Sequence, residues 1–215
     1  MRGALLVVAK APVPGLAKTR LCPPATPQQA AEIAAAALLD TLDTVLRTPR
    51  TVPYVAFTGD LRKARRSKEI SALLEKCEVF EQRGDTFADR LAEAHAEVAR
   101  RCPGQPVVQI GMDTPQITPS LLASCFPVRD AAIGRAHDGG WWALGLNDPN
   151  AAGALRAVPM SKDNTGDLTV KALQDRGLEV FALPQLSDVD TMTDARVVAK
   201  ATPNGRFARA VEAVR

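Results

Sequence analysis

Aromatic residues, histidines and long apolar runs are all scarce in this chain of 215 residues. Phe, Trp and Tyr make up 4% of it and there are two histidines, so a hydrophobic core must be built from Ala, Val and Leu. No apolar stretch approaches the length needed to span a bilayer, and the N-terminus lacks a signal-like region. We therefore expect a cytoplasmic protein without a membrane span, with residues 1–215 forming a single domain.

Other absences exclude further classes of protein. The four cysteines lack the paired spacing of zinc or redox motifs, so we expect free thiols. No P-loop and no Gly-x-Gly-x-x-Gly fingerprint occurs, which leaves P-loop hydrolysis and hydride transfer without support. The net charge of +3 is small, and it falls short of the concentrated positive charge expected of a dedicated nucleic-acid binder. The basic run at 62–68 has no interleaved aromatic residues, and it alone supports the hypothesis of nucleic-acid binding.

Short apolar runs typical of buried strands alternate with amphipathic stretches typical of helices. This alternation predicts an α/β sandwich with a largely parallel sheet. His95 lies beside the apolar stripe of the predicted helix 85–101, and we expect it on the helix surface. The predicted strands are 4–9, 53–58, 79–80, 106–110, 131–133, 141–146 and 178–183. The predicted helices begin at Pro27, cover about 61–76, 85–101, 119–125 and 169–176, and follow Thr193 and Asn204.

The loop after the first predicted strand reads KAPVPGLAKTR, from Lys10 to Arg20. Two prolines and Gly15 fix its backbone, and Lys10, Lys18 and Arg20 give it three cations. Ligands bind open α/β sheets beyond the carboxyl ends of the strands, and cations there suit polyanions. The loop therefore predicts a phosphate site, although a solvated basic loop would also explain it.

Carboxylates occur at two further chain positions. Asp113 follows an apolar strand, where a carboxylate points into the crevice above the sheet, although Asp-Thr-Pro is also a turn sequence. Asp188 and Asp190 are two residues apart, so in extended backbone both face the same way. Hard oxygen ligands favour Mg²⁺ or Mn²⁺. We predict a metal site formed by these three residues; an Asx turn before a capping Thr191 is the structural alternative.

The segment from His137 to Trp142, HDGGWW, is the third element. Gly139 and Gly140 permit close approach of a ligand to the backbone, and Asp138 offers a carboxylate on a loop. The tryptophans lie on opposite faces if they belong to a strand, so Trp141 could pack on a sugar. A hairpin turn would also account for Asp-Gly-Gly.

These motifs in this order resemble a known family. The loop KAPVPGLAKTRL, the strand end IGMDTP, the segment AHDGGWWALGL and the tail LSDVDTMTDA look like a family of small bacterial glycosyltransferase-A-type proteins. Some members are described as arsenosugar-biosynthesis glycosyltransferases. The family is similar to the molybdenum-cofactor guanylyltransferase and to the guanylyltransferase acting on 2-phospholactate or phosphoenolpyruvate. The resemblance covers about 5–198 and specifies the fold better than the substrate.

The resemblance implies a three-layer α/β/α nucleotide-diphospho-sugar transferase fold (GT-A) with a mixed, mostly parallel sheet. It implies that Asp113, with Asp188 and Asp190, holds the metal beside a diphosphate. Asp138, the candidate catalytic base, and the glycines would face the acceptor or the transferred group. The implied nucleotide contacts are Lys10, Gly15, Lys18, Arg20, Gln82 and Arg90, and the implied substrate contacts are Gly139, Gly140 and Trp141.

Our leading hypothesis is therefore a metal-dependent glycosyltransferase that uses a nucleotide-diphosphate sugar, Mg²⁺ or Mn²⁺, and a small-molecule acceptor. A nucleotidyltransferase that joins a nucleoside monophosphate to a small phosphorylated acceptor shares the same site parts. In both reactions, catalysis is mainly positioning and electrostatic stabilisation. A nucleotide-binding protein without turnover is the alternative of a different class.

Overall fold

A computed structural model of the chain describes residues 3–126 and 128–214. Within them, seven strands form one sheet: β1 (Gly3–Lys10), β2 (Thr51–Thr58), β3 (Glu78–Glu81), β4 (Val107–Ile110), β5 (Ala131–Ala136), β6 (Trp141–Leu146) and β7 (Val180–Leu186). Their order is β3-β2-β1-β4-β6-β5-β7. Strand β6 runs antiparallel to both of its neighbours, and the other pairs are parallel.

Helices cover both faces of this sheet. They are α1 (Pro27–Arg47), α2 (Ser67–Leu74), α3 (Phe87–Arg101), α4 (Pro119–Ser124), α5 (Thr165–Gln174), α6 (Met192–Ala201) and α7 (Arg206–Glu212). Helices α1, α2 and α4 pack on one face; α3, α5 and a 3₁₀ helix at Pro149–Ala157 pack on the other. Helices α6 and α7 pack on the outer side of α1. The predicted three-layer α/β/α fold with a mixed, mostly parallel sheet is confirmed.

Strand β1 shows why the first apolar run is continuous. Leu5 and Val7 pack in the cluster under α1, whereas the alternate residues Leu6 and Val8 pack in the cluster under α3. A strand buried on both faces must be apolar at every position. Because β1, β2, β3 and β4 are parallel neighbours, their carboxyl ends meet at one edge of the sheet.

No helix in the described ranges combines the length and the apolar character needed to cross a membrane. All four cysteines, Cys22, Cys77, Cys102 and Cys125, are free, as the sequence predicts. Burial raises the pKa of both the Cys77 and the Cys125 thiols to about 11. These two thiols therefore stay protonated and unreactive near neutral pH.

Among the element boundaries that differ from the sequence prediction, those of α2 and α5 differ on the helical side. The predicted helix 61–76 is divided, because Arg66 adopts a left-handed conformation with φ 50° immediately before α2. Residues Leu61–Lys63, at the start of the predicted helix, form a separate 3₁₀ turn capped by Asp60. Helix α5 begins at Thr165, four residues before the predicted start.

The prediction that His95 lies on a helix surface is wrong. Its side chain is 0% exposed, because it follows Leu91 by four residues and so shares the apolar face of α3. His95 Nε2 lies 3.0 Å from Gln109 Oε1 on β4, and His95 Nδ1 has no hydrogen-bond partner. Burial lowers the pKa of His95 from its usual 6.5 to about 4, although the contact with Gln109 opposes this shift.

This burial predicts an acid-sensitive fold. Between pH 6.5 and about 4, the unfolded chain binds a proton at His95 that the folded chain does not. The free energy of unfolding should therefore fall as pH falls through this window, with a contribution of up to about 1.4 kcal/mol per pH unit. Urea denaturation of His95→Gln should lack this component of the slope. The matched control is His137→Gln at the exposed second histidine; an unchanged slope in His95→Gln would contradict the assignment.

Candidate functional site

The loop between β1 and α1 is closed on itself by a tight turn. The Leu16 amide donates to the Val13 carbonyl at 3.0 Å, with Pro14 and Gly15 at the corner. Gly15 has φ 78°, which is the conformation that a type II turn requires of its third residue. Lys10 Nζ donates to the Leu16 carbonyl at 3.0 Å. Lys10 therefore supports the shape of the loop as well as adding charge to it.

Lys18 carries its charge from this loop into the protein. Its backbone is left-handed, with φ 47° and ψ 44°, and its side chain is only 17% exposed. Lys18 Nζ lies 2.8 Å from Asp113 Oδ2 and 3.3 Å from Asp190 Oδ1. Burial alone would lower the pKa of Lys18, but the charges and hydrogen bonds of the two aspartates outweigh it and raise that pKa. Lys18 therefore stays positively charged near neutral pH.

The aspartates meet because the segment after β4 and the segment after β7 run side by side. The Val189 amide donates to the Asp113 carbonyl at 3.2 Å. Val189 is buried in the cluster with α6, so the residues on either side of it turn the other way. Asp190 contacts Lys18, and Asp188 accepts a hydrogen bond from Thr114 Oγ1 at 3.2 Å. The structure therefore brings Asp113, Asp188 and Asp190 together, as their spacing predicts.

The cluster holds more negative charge than its cations neutralise. Burial and, after it, the negative charges of Asp113 and Asp138 raise the pKa of Asp188 to about 7. The hydrogen bond from Thr114 and the charge of Lys18 act in the opposite direction. Arg20, which is 72% exposed, adds an outer ion pair with Asp190 at 3.2 Å.

A cavity of about 370 Å³ opens along the carboxyl ends of β1 to β4. Gln82 and Arg90 line it at the β3 side, and Lys18 and Asp113 line it at the β4 side. Gln82 Nε2 donates to the carbonyls of Ala9 and Ala56, at 2.8 and 2.9 Å. Both of its donor hydrogens are thus used to hold β1, β2 and β3 together. The implied nucleotide residues Lys10, Lys18, Gln82 and Arg90 all line this cavity.

Arg90 and Phe87 give the β3 side of the cavity a distinct character. The Arg90 guanidinium lies 5.7 Å from the centre of the Phe87 ring. Arg90 Nε is buried and has no hydrogen-bond partner among the residues that the structure describes, which is costly for a charged group unless a ligand supplies the acceptor. Phe87 and Leu16 are 43% and 63% exposed, and both line the cavity.

A second cavity of about 490 Å³ lies on the other side of the ion pairs. Lys18 lines both cavities, so the acidic cluster stands between them. Arg20, Asp138 and Asp190 line the second cavity, together with Ser161, Lys162 and Asp163. Sequence reasoning missed the last three. The only sequence signal for this part of the cavity was the pair of charged residues, Lys162 and Asp163, shortly before α5.

Four implied site residues do not line either cavity: Gly15, Gly139, Gly140 and Trp141. A Cβ at Gly139 would overlap the Asp163 carbonyl, so the close approach there is made by this chain's own backbone. The Gly140 amide donates to Asp138 Oδ1 at 2.8 Å. Trp141 packs against the cluster under α3 and its indole donates to Thr169 Oγ1 at 3.2 Å. Nucleotide binding by Gly15 and substrate binding by Gly139, Gly140 and Trp141 stay predictions.

Within residues 3–126 and 128–214, no group of three His, Cys, Asp or Glu side chains is arranged as a ready metal site. The donors nevertheless fit Mg²⁺ or Mn²⁺ chemically, because carboxylate oxygens are the ligands that these ions prefer. In the structure, Lys18 serves as the cation of Asp113 and Asp190.

Comparison with known proteins identifies related sequences and folds. The family described as "Uncharacterized protein conserved in bacteria (DUF2064)" matches residues 41–162. This range contains Asp113 and Asp138, but neither the Lys10–Arg20 loop nor the Asp188–Asp190 segment. The comparison with curated proteins gives no match.

Three solved structures illustrate the likeness in fold. A protein of Desulfovibrio desulfuricans G20, provisionally assigned as a nucleotide-diphospho-sugar transferase, is 26% identical; the match covers 97% of this chain and 91% of that one, with a TM-score of 0.82. A 4-diphosphocytidyl-2C-methyl-D-erythritol synthase is 12% identical, with coverages of 94% and 99% and a TM-score of 0.61. A cytidylyltransferase of Leptospira borgpetersenii is 11% identical, with coverages of 100% and 94% and a TM-score of 0.57.

These structural neighbours are nucleotidyl and nucleotide-sugar transferases. The 26% identical protein supports the general kind of protein that the motifs resemble, and the other two show the likeness in fold. The narrower link to arsenosugar biosynthesis is not confirmed by the family match or by the solved structures.

The turn at Gly139 can be tested against a matched glycine. Gly139→Ala should destabilise the fold because φ is +88° and the new Cβ would overlap the Asp163 carbonyl. Gly15→Ala also requires a positive φ, +78°, but its Cβ meets nothing within 4 Å. We expect a loss of about 1 kcal/mol for Gly15→Ala and at least ~2 kcal/mol more for Gly139→Ala, measured by urea denaturation. Equal losses would contradict the packing described for Gly139.

Proposed function

This chain belongs to the DUF2064 family of bacterial proteins, and we propose that it is a metal-dependent transferase that uses a nucleotide-activated donor. One observation carries the proposal. A buried lysine and several carboxylates lie between two cavities at the carboxyl edge of the sheet. Two adjoining cavities with charged groups between them suit the transfer of a group from one bound molecule to another.

We assign the donor nucleotide to the cavity along β1 to β4. From β3 to β4 there are three strand spacings, or roughly 14 Å, which gives room for an extended nucleotide. The apolar Leu16 and Phe87 with the unpartnered Arg90 Nε suit the base, because aromatic side chains stack on bases. Lys18 suits the phosphates at the other end. There its ammonium would stabilise the negative charge that develops on the leaving group.

We propose that Asp113, Asp188 and Asp190 hold Mg²⁺ or Mn²⁺ when the nucleotide is bound. Such an ion would neutralise charge on the diphosphate and orient it. The residues of this chain do the remaining work. Thr114 orients Asp188 by its hydrogen bond, and the backbone contact between Val189 and Asp113 keeps the two acidic segments in register.

The second cavity is then the acceptor site. Asp138 lines it, and the Gly140 amide fixes one of its oxygens. Its other oxygen is available to accept the proton of an acceptor hydroxyl as general base. Arg20 and Lys162 line the same cavity, so an acceptor with a negative group would be favoured.

Glycosyl transfer from a nucleotide-diphosphate sugar is our specific proposal, because the motifs and the 26% identical neighbour both resemble sugar transferases. Nucleotidyl transfer is the second candidate. The basic residues of the second cavity favour it, since they suit a phosphorylated acceptor. The packing of Trp141 also favours it, since this ring is engaged away from both cavities. The free thiols support a location in the reducing cytoplasm.

The two reactions release different products, and phosphorus NMR distinguishes them. UDP-sugars, GDP-sugars and GTP should be tested separately with Mn²⁺ or Mg²⁺, against hydroxyl acceptors and phosphorylated acceptors. Glycosyl transfer releases a nucleoside diphosphate, whereas nucleotidyl transfer releases pyrophosphate. Asp113→Asn should reduce turnover by at least ~10²-fold while nucleotide binding persists. Nucleotide binding by the wild type without either product would favour a protein without turnover. Absence of nucleotide binding would reject the proposal.

Arg90 provides a test of how the donor is placed. Arg90→Met should weaken nucleotide binding at least tenfold, about 1.4 kcal/mol, because a buried charged hydrogen bond is lost. The matched control is Arg129→Met: Arg129 also lies over an aromatic ring, 5.8 Å from the centre of Phe181, but does not line this cavity. Isothermal titration calorimetry measures both. Equal affinities in the two variants would place the base elsewhere.

A further inference from the structure

Lys18 contacts the same carboxylates that the proposed metal needs. We propose that Lys18 is an internal counter-ion, which holds Asp113 and Asp190 in the nucleotide-free protein and transfers to the nucleotide phosphates when these bind. The divalent cation and the nucleotide would then bind cooperatively, with Lys18 as the coupling residue. This inference rests on the proposed function, because it takes a phosphate-bearing ligand as the partner to which Lys18 moves.

The geometry gives Lys18 this place. Its Nζ lies within 3.3 Å of an oxygen of each aspartate, and the two residues belong to segments far apart in the chain. An ammonium ion at this point makes the contacts that a metal ion would otherwise make. Among the described residues there is accordingly no ready metal site, although the carboxylates have been brought together.

Replacement of Lys18 by a metal ion alone is unfavourable. The Lys18 side chain is 17% exposed, so an ammonium without its carboxylates would be poorly solvated. It would also lie close to the incoming divalent cation, and like charges repel. A nucleotide removes both penalties, because its phosphates offer the ammonium new anionic partners. Lys18 lines the donor cavity as well as the acceptor cavity. Phosphates bound in the donor cavity would therefore lie beside it.

Arg20 has a different role although it also contacts Asp190. It approaches the second oxygen, Oδ2, at 3.2 Å from the protein surface and is 72% exposed. It does not contact Asp113 in the structure, so it leaves that ligand free. Lys18 alone among the described lysines and arginines joins the two acidic segments.

The experiment measures Mn²⁺ binding without activity. Electron paramagnetic resonance of free Mn²⁺ gives the dissociation constant of the wild type and of Lys18→Met without nucleotide. We expect Lys18→Met to bind Mn²⁺ at least tenfold more tightly. Addition of UDP, GDP or GTP should then tighten Mn²⁺ binding by the wild type at least tenfold and by Lys18→Met less than threefold.

Lys162→Met is the matched control. Lys162 lines the acceptor cavity but forms no ion pair within the described ranges, so this variant removes the same charge without freeing Asp113 or Asp190. Lys18→Gln, which is neutral but retains a hydrogen-bond donor, replaces Lys18→Met should the latter not fold by circular dichroism. Lys18→Arg keeps the charge and should bind Mn²⁺ no more tightly than the wild type.

Two results would overturn the inference. One is equal Mn²⁺ affinity of the wild type and the neutral Lys18 variants without nucleotide, including no binding by either. The other is an equal gain in affinity for Lys162→Met, which would show a general effect of charge. Failure of the proposed function has a separate signature: the wild type binds none of the three nucleotides. Even then, the comparison without nucleotide decides whether Lys18 is the counter-ion of Asp113 and Asp190.

Discussion

The repulsion among carboxylates at one edge of the sheet is the constraint on which the site depends. Asp113, Asp188 and Asp190 come from segments after two different strands, and a hydrogen bond between the segments holds them close. Such proximity is unfavourable unless a cation compensates it. The loop after β1 supplies that cation in Lys18, at the expense of a left-handed backbone. The sheet topology, the loop conformation and the charge of the site are therefore parts of one arrangement.

Much of the fold and part of the site follow from sequence patterns because burial enforces them. Strand β1 is apolar at every position since both of its faces are covered. The convergence of Asp188 and Asp190 was predictable for a similar reason. Val189 between them is buried, and the alternation of an extended chain then directs both neighbours to the opposite side. Each of these inferences needs only the two-residue alternation of an extended chain and the burial of residues within it.

The features that sequence reasoning missed depend on partners distant in the chain. His95 lies on the apolar face of α3, and its buried ring contacts Gln109 on β4, a pairing that no local pattern reveals. The Trp141 indole donates a hydrogen bond to Thr169 Oγ1 on α5, a contact that the strand pattern does not show. The glycine at 139 is explained by the Asp163 carbonyl, which belongs to the missed segment of the acceptor cavity. In each case a distant neighbour gives the residue a structural contact, and the binding roles of Trp141 and Gly139 stay predictions.

The division of the site into two cavities bears on why this fold accommodates different transfers. The donor cavity is formed by the parallel strands β1 to β4 and their loops, so its shape follows from the sheet itself. The acceptor cavity is lined by the loops after β5 and before α5, as well as by Lys18 and its neighbours. Loops tolerate change more readily than strands. Substitutions in these loops would therefore alter the acceptor, and with it the bond that breaks in the donor, while the phosphate end of the donor cavity stays constant. Under the proposed assignment of the two cavities, the reaction type of this protein would be determined on the acceptor side of Lys18.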